Sequence, residues 1–237
     1  MRIDPELCIA CESCLIYCPL GAISMGDESA EIDQEACVEC GNCKRADVCA
    51  SEAFIYEAHP WPRSVREAFS NPLAEHKETR VPGRGTEEMK TNDVRGLFGR
   101  GVVGVGLEVG RPGISTNFHD VQKISMAVAK AGLKFAEGNP CTANMVDTST
   151  GEINPEILDE RVMSAIIEGH VPIEKLGDVV EAAREVATKI DTVFSFEFID
   201  RPGPDRMPPM DKILKEHGVK CYPNGKFNLG LGRPLVK

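Results

Sequence analysis

The 237-residue sequence has no run of about 18 apolar residues, so no segment is expected to cross a membrane as a helix. Its amino terminus, MRIDPELC, lacks the apolar stretch of a secretory signal, and we therefore expect a cytoplasmic protein. Histidine is scarce: none of the five histidines pairs with another at a metal-binding spacing. No nucleophile with a neighbouring base stands out either, so the sequence offers no catalytic constellation.

Basic residues are few at the start of the chain. Residues 1–58 contain three basic and twelve acidic side chains, a net charge of −9, whereas the whole chain carries −10. Such a segment repels nucleic acid and attracts a basic patch on a partner protein. The charge distribution therefore argues against nucleic-acid binding and favours docking to a basic protein.

Cysteine, by contrast, is abundant and unevenly placed. Eight of the ten cysteines lie between Cys8 and Cys49, whereas Cys141 and Cys221 stand alone and are interpreted as plain buried or half-buried thiols. The dense segment contains two motifs, Cys8-x2-Cys11-x2-Cys14-x3-Cys18-Pro19 and Cys37-x2-Cys40-x2-Cys43-x5-Cys49.

Each motif supplies three cysteines on one tight loop, which suits three corners of a cubane iron–sulfur cluster. The fourth thiolate must come from elsewhere, because so short a loop cannot wrap the cube. Two zinc sites are an alternative for paired Cys-x2-Cys sequences. A disulfide framework is a second alternative, although a cytoplasmic chain argues against it. The triplet followed by Cys-Pro is more typical of [4Fe–4S] binding, and we favour that interpretation.

Residues 1–57 resemble a bacterial-type two-cluster ferredoxin, in which CPLGAI (18–23) and CASEAF (49–54) match as two halves of an internal duplication. The resemblance implies two [4Fe–4S] clusters, with each fourth cysteine crossing to the other motif's cluster. It implies that one cluster is held by Cys8, Cys11, Cys14 and Cys49, and the other by Cys37, Cys40, Cys43 and Cys18. The second motif departs from the pattern by two extra residues and a missing proline, which predicts a bulge within Lys44–Val48.

Residues 58–100 are rich in proline, glycine and charge and are predicted to be a linker, with a short helix near Ser64–Phe69. Residues 101–237 alternate between strand-like and helix-like patterns. Strands are predicted at 101–109, 133–135, 161–168 and 192–199, helices at 117–131, 173–190 and 210–216, and a mostly irregular segment at 139–158. This β-α-β-β-α-β order predicts an α+β domain of the ferredoxin-like class, with one antiparallel sheet, two helices on one face and a C-terminal extension.

The segment EVGRPGISTNFHDVQKI (108–124) resembles the strand–turn–helix of ACT domains. This resemblance implies that the domain binds a small ligand near its RPG turn, which here is Gly110–His119, and pairs side by side with another copy. The helix that follows the turn would offer free N–H groups to an anion. The turn can equally be only a connection between two elements.

Alternation along the strands separates two faces of the predicted sheet. One face is apolar, and the other carries mainly glycine, serine and glutamate and is expected to be open to solvent. Treating the first and third strands as parallel neighbours, we expect Glu108 and Glu168 at the same end of the sheet. Two close carboxylates there would suit a cation or a basic residue of a partner.

The favoured function is electron transfer, as the ferredoxin-type component of a larger anaerobic oxidoreductase whose catalytic subunit carries a flavin or a metal. The alternatives are a reductase with its own active site in or beside the ACT-like domain, and a redox-linked sensor of a small metabolite. An electron-transfer subunit is favoured over an independent catalyst. Exposed strand edges predict a homodimer or a heteromer formed through residues 101–199.

Overall fold

The computed structural model describes residues 1–75, 96–111 and 115–221. The amino-terminal unit has only short elements: β1 (Arg2–Ile3), β2 (Ile23–Met25), β3 (Ala30–Ile32), α1 (Asn42–Arg45) and β4 (Phe54–Ile55), with a 3-10 turn at Leu15–Tyr17. Strand β1 pairs with β4 and β2 pairs with β3, both in antiparallel fashion.

The apolar core of the amino-terminal unit is very small. Its connected cluster has four buried members, Met1, Ile23, Ala30 and Phe54, and the side chains that pack around them include five of the cysteines. Ala22, Val38 and Ala53 are also buried, but outside this cluster. So few buried apolar side chains contribute little hydrophobic stabilisation to a unit of this length. We therefore expect the groups that the cysteines hold to supply much of its folding free energy.

The carboxy-terminal unit begins with β5 (Val102–Val109), β6 (Thr116–Asn117), α3 (Phe118–Lys130) and β7 (Lys134–Phe135). It continues with α4 (Pro140–Ala143), β8 (Met145–Asp147), β9 (Glu152–Ile153) and β10 (Arg161–Val162). Within the described residues, β11 (Ala165–Pro172), α5 (Leu176–Ala187), β12 (Phe194–Ile199) and α6 (Met210–Glu216) follow. None of the helices in the described ranges is long and apolar enough to cross a membrane.

The main sheet has the order β12–β5–β11–β7, and every neighbouring pair is antiparallel. Its strands alternate with α3 and α5 in the predicted β-α-β-β-α-β order. Val103, Val105 and Leu107 of β5 have no exposed surface, and they belong to the same core as α3 and α5. The ACT-like resemblance stays a prediction, because Pro112 and Gly113 of its turn lie outside the described residues.

One topological prediction is wrong. Strands β5 and β11 are antiparallel, because the strand inserted into a split βαβ unit runs against its two neighbours. The register places Glu108 opposite Ile166 and Glu168 opposite Gly106. The two carboxylates therefore lie diagonally across one face of the sheet rather than side by side at one end.

That second face is also more buried than its composition predicts. Glu168 and Ser164 have no exposed surface, and Glu108 is 7% exposed. Asn139 Nδ2 donates a hydrogen bond to Glu168 Oε2 at 2.9 Å, and Arg111 pairs with Glu108 at 3.0 Å. Alternation identified the face correctly, but it could not show that polar groups are buried there with partners.

Some element boundaries also differ from expectation. The strand predicted at 161–168 is two strands, because β10 turns away to pair with β6 before β11 joins the sheet. The helix predicted from residue 173 starts with a 3-10 turn at Ile173–Lys175. The segment 139–158 contains α4 and the hairpin β8–β9, whose strands are too short for periodicity to reveal.

The described part of the predicted linker is packed rather than free. Its helix α2 spans Ser64–Ser70, and Val65 and Phe69 belong to the core of the carboxy-terminal unit. The ring of Phe69 meets Phe118 edge to face, with centroids 5.2 Å apart. Ser70 Oγ accepts a hydrogen bond from the Met163 N–H at 2.8 Å. Helix α2 therefore docks the connection onto the carboxy-terminal unit.

Replacing Phe69 tests this docking. Phe69 is 1% exposed, so Phe69→Ala should lower the free energy of unfolding by about 3–5 kcal/mol through lost burial and the cavity left behind. Chemical denaturation of the carboxy-terminal unit measures the change. Leu73→Ala is the matched control: Leu73 is 69% exposed, and its loss should change stability little. Equal effects of the two substitutions would contradict the docking.

Candidate metal centre

The two cysteine motifs share one backbone geometry. The residue before the second cysteine is left-handed in both, with φ of 52° at Ala10 and 55° at Glu39. The residue after it is also left-handed, with φ of 60° at Glu12 and 67° at Gly41. This conformation costs a residue with a Cβ roughly 1–2 kcal/mol. Its repetition at three such residues indicates that the surrounding structure imposes the same loop shape on both motifs.

The fourth cysteines repeat a second pattern. The Ala22 N–H donates to Cys18 Sγ at 3.1 Å, and the Ala53 N–H donates to Cys49 Sγ at 3.3 Å. Both donors lie four residues after their cysteine, so the two halves match in this detail. Hydrogen bonds of this kind stabilise a thiolate and influence the reduction potential of a cluster that it ligates.

The two additional residues of the second motif lie where the bulge was predicted. The segment between Cys43 and Cys49 contains the end of α1 and a left-handed residue, Asp47, with φ of 53°. The Asp47 N–H donates to the carbonyl of Lys44 at 3.2 Å. One helical turn and one left-handed residue thus absorb the insertion and leave Cys49 free to reach the other motif.

The eight cysteines line two recesses of the amino-terminal unit. The first recess is lined by Cys8, Cys11, Cys14 and Cys49. The second recess is lined by Cys37, Cys40, Cys43 and Cys18. Each recess therefore combines three cysteines of one motif with the last cysteine of the other. The walls of both are mainly apolar, and Phe54 and Ala30 belong to the first, Ile23 and Val38 to the second.

Burial in these recesses changes the acidity of the thiols. It raises the pKa of Cys43 to about 11, and the neighbouring Cys40, Cys37 and Cys18 add to the effect. Burial also raises the pKa of Cys14, again with the other three cysteines of its recess contributing. A bare thiolate is therefore disfavoured, and iron would have to displace the proton when a cluster binds.

Hydrogen bonds act in the opposite direction at two other cysteines. The Ser13 hydroxyl is the main cause of the lowered pKa of Cys11, which is exposed. Burial acts to raise the pKa of Cys49, but hydrogen bonds from the Ala53 N–H and from Ser51 together outweigh it and lower the pKa. Ser51 Oγ lies 3.6 Å from Cys49 Sγ.

The residues of both recesses fit a [4Fe–4S] cluster. Four soft sulfur ligands line each one, apolar side chains limit the access of water, and backbone N–H groups already point at three of the sulfurs. All eight cysteines are free thiols rather than disulfides. Their roles as ligands stay a prediction of the sequence and the geometry together.

A buried carboxylate lies in the loop of the second recess. Glu39 is 5% exposed and accepts from the Met1 amino group at 2.6 Å and from Arg63 at 2.7 Å. His59 Nε2 lies 3.2 Å from the same side chain. Burial acts to raise the pKa of Glu39, but these cationic partners outweigh it and lower the pKa.

Sequence reasoning missed a group of arginines around residues 34–45, a segment that we call the second-motif loop. Arg66 donates to the carbonyls of Gln34, Glu35 and Cys37 at 2.9–3.0 Å. Arg45 donates to the carbonyl of Cys40 at 2.7 Å. The available signal was the three-residue spacing of Arg63, just before the predicted short helix, and Arg66 within it, since side chains three residues apart lie on the same side of a helical turn.

The isolated cysteines take no part in either recess. Cys141 is 1% exposed in the core of the carboxy-terminal unit, where burial raises its pKa. Cys221 is exposed. Cys141 therefore fits its interpretation as a plain buried thiol, whereas Cys221 is more exposed than expected.

Residues 1–50 match the family model of the 4Fe-4S dicluster domain, which confirms the ferredoxin-type resemblance of this segment. The match implies [4Fe–4S] chemistry at these cysteines. The chain is 46% identical over 47 residues to a subunit of the ion-translocating oxidoreductase complex of Methanosarcina acetivorans. It is 38% identical over 55 residues to the pyruvate synthase subunit PorD of Methanothermobacter marburgensis, and 37% over 49 residues to an iron-sulfur protein of Rhodospirillum rubrum.

These similarities are confined to a small part of each chain. The Methanosarcina, Methanothermobacter and Rhodospirillum proteins match 20%, 23% and 21% of this chain, respectively. The matched segments make up 17%, 62% and 25% of those three proteins, so this chain spans only part of each relative's length. No solved structure matches the chain.

The crossed arrangement can be tested with paired cysteine variants. If Cys11 and Cys49 serve one cluster, the double variant Cys11→Ala/Cys49→Ala should retain about four iron atoms per chain. The double variant Cys40→Ala/Cys49→Ala should retain almost none, because it removes a ligand from each recess. Iron analysis after anaerobic purification measures both, and Cys221→Ala is the control. The reverse pattern would show that each motif binds its own cluster.

Proposed function

We propose that the chain binds two [4Fe–4S] clusters and transfers electrons between protein partners. Cys8, Cys11, Cys14 and Cys49 would hold one cluster, and Cys37, Cys40, Cys43 and Cys18 the other. The observation that carries the proposal is the pair of recesses, each lined by four cysteines drawn from both motifs. A bound cluster supplies a site that accepts and releases one electron.

The chain's own residues would hold the clusters and limit contact with water. Ile3, Val48 and Phe54 line the first recess, and Met1, Leu20 and Ile32 line the second. Such apolar surroundings lower the local dielectric constant and so favour the state of lower charge, while N–H···S hydrogen bonds offset part of that effect. The balance of the two would set the reduction potentials.

The similar proteins support a role inside a larger assembly. Two of them are named as subunits, one of an oxidoreductase complex and one of pyruvate synthase. By analogy, we propose that this chain is the ferredoxin-type component of an anaerobic oxidoreductase whose catalytic subunit contains a flavin or a metal. The carboxy-terminal unit would serve in docking and assembly, as a homodimer or a heteromer.

Electron exchange with the partner would occur at the first recess. Cys11 is exposed there, and Leu7 and Ile9 beside it are 49% and 64% exposed. Apolar side chains surrounded by acidic ones suit docking to a partner whose contact surface has a basic rim. Glu12, which lines this recess, is exposed and is well placed to attract such a rim.

Neutralising one carboxylate at this surface tests the docking. In the reduced holoprotein, Glu12→Gln should slow electron transfer to a basic cytochrome several-fold at low ionic strength, because it weakens the attraction between the two proteins. The difference should shrink as added salt screens the charges. Stopped-flow oxidation measures the rate.

Glu174→Gln is the matched control, because it removes one exposed carboxylate from the carboxy-terminal unit. It should leave the rate almost unchanged. Equal slowing by both substitutions would show that net charge, rather than the surface beside the first recess, directs docking. A holoprotein that takes up no electrons from titanium(III) citrate would contradict the proposed function itself.

A further inference from the structure

The two recesses differ sharply in the charges next to them. Arg45, Arg63 and Arg66 all donate hydrogen bonds to main-chain carbonyls of the second-motif loop. Within the part of the chain that the structure describes, no arginine or lysine donates to residues 8–14 or to Cys49. The ionisable side chain that lines the first recess, apart from its cysteines, is the carboxylate of Glu12. Among the residues that the structure describes, the second recess therefore has the more positive surroundings.

Among these arginines, Arg66 is expected to have the strongest electrostatic effect on the second recess. It is 4% exposed, and its guanidinium donates to the carbonyl of Cys37 at 2.9 Å. Solvent and salt screen a buried charge much less than an exposed one. Arg45 is exposed. Arg63 is paired with Glu39, a carboxylate of the second-motif loop itself, whereas the carboxylate paired with Arg66, Glu160, lies outside that loop. The charge of Arg66 should therefore dominate the field at the second recess.

A carboxylate of the carboxy-terminal unit partly offsets the positive charge of Arg66. Its Nε donates to the carboxylate of Glu160, whose side chain is 13% exposed. Its other carboxylate neighbour, Glu35, lies 3.9 Å away and is 90% exposed, so water screens that interaction. Arg66 of α2 and Glu160 of the carboxy-terminal unit thus form a partly buried ion pair beside the second-motif loop.

We propose that the second recess holds the cluster of higher reduction potential, and that Arg66 is a positioning residue that raises this potential while Glu160 lowers it. The inference rests on the proposed function. Reduction adds one negative charge to a cluster, so a nearby buried cation stabilises the reduced form and a nearby carboxylate destabilises it. An electron that enters at the exposed first recess would then be held at the second, next to the carboxy-terminal unit.

Two substitutions at the same contact should shift the potential in opposite directions. Arg66→Gln removes the cation and should lower the higher of the two potentials. Glu160→Gln keeps an acceptor for Arg66 but removes the negative charge, so it should raise that potential. Arg66→Lys, which keeps the charge, should shift it less than Arg66→Gln. EPR-monitored potentiometry of the full holoprotein, reduced with titanium(III) citrate, measures each value.

A third substitution tests whether the cluster of lower potential lies in the first recess. Ser51 Oγ lies near Cys49 Sγ in the first recess, so Ser51→Ala should lower the lower potential and leave the higher one in place. If Arg66→Gln prevents cluster binding, Arg45→Gln replaces it with the same expected sign. A merely structural role for the ion pair predicts shifts of the same sign from Arg66→Gln and Glu160→Gln.

Three results would overturn the inference while leaving the proposed function intact. They are two indistinguishable potentials in the unaltered protein, same-sign shifts from the two charge variants, or a response of the higher potential to Ser51→Ala. A protein that shows no cluster signal at all would overturn both. Opposite shifts confined to the higher potential would establish Arg66 and Glu160 as the pair that sets it.

Discussion

The amino-terminal unit depends on the placement of eight thiols in two apolar recesses. A buried thiolate without a counter-charge is costly, and burial raises the pKa of Cys43 to about 11. At the same time, the connected apolar cluster beside the cysteines has only four fully buried members. Both problems have one solution, because iron bound by the thiolates would compensate their charge and also supply the missing stabilisation.

This requirement accounts for the strained loops and for their repetition. In each motif, left-handed residues flank the second cysteine. At Ala10, Glu12 and Glu39 this conformation is adopted by residues with a Cβ, for which it is energetically unfavourable. Glu39 shows how the strain is supported, since its carboxylate is buried among cationic partners. The loop around the second recess is therefore fixed by its surroundings as well as by its cysteines.

The connection between the two units also holds the second-motif loop in place. Helix α2 places Phe69 in the core of the carboxy-terminal unit and Arg66 on the carbonyls of the second-motif loop. One short helix thus anchors the recess to a sheet with a much larger core. Because Glu160 pairs with Arg66 from that sheet's side of the junction, the carboxy-terminal unit contributes charge to the site as well as support.

Patterns in the sequence predicted the structural features that are determined by residues close together along the chain. The cysteine spacing, the apolar alternation of β5 and the helix α6 belong to this class. What could not be predicted depends on contacts distant in sequence, such as Arg66 with Cys37, or Glu168 with Asn139. The predicted direction of β11 against β5 was wrong for a different reason: the predicted β-α-β-β-α-β topology already requires the inserted strand to run antiparallel to both of its neighbours.

The most direct test of the central claim is the iron and acid-labile sulfide content of the anaerobically purified chain. Two [4Fe–4S] clusters require about eight iron and about eight sulfide per chain. We expect both values, with no bound zinc. Stoichiometric zinc without acid-labile sulfide would contradict the account, since the same cysteines would then hold single metal ions that transfer no electrons.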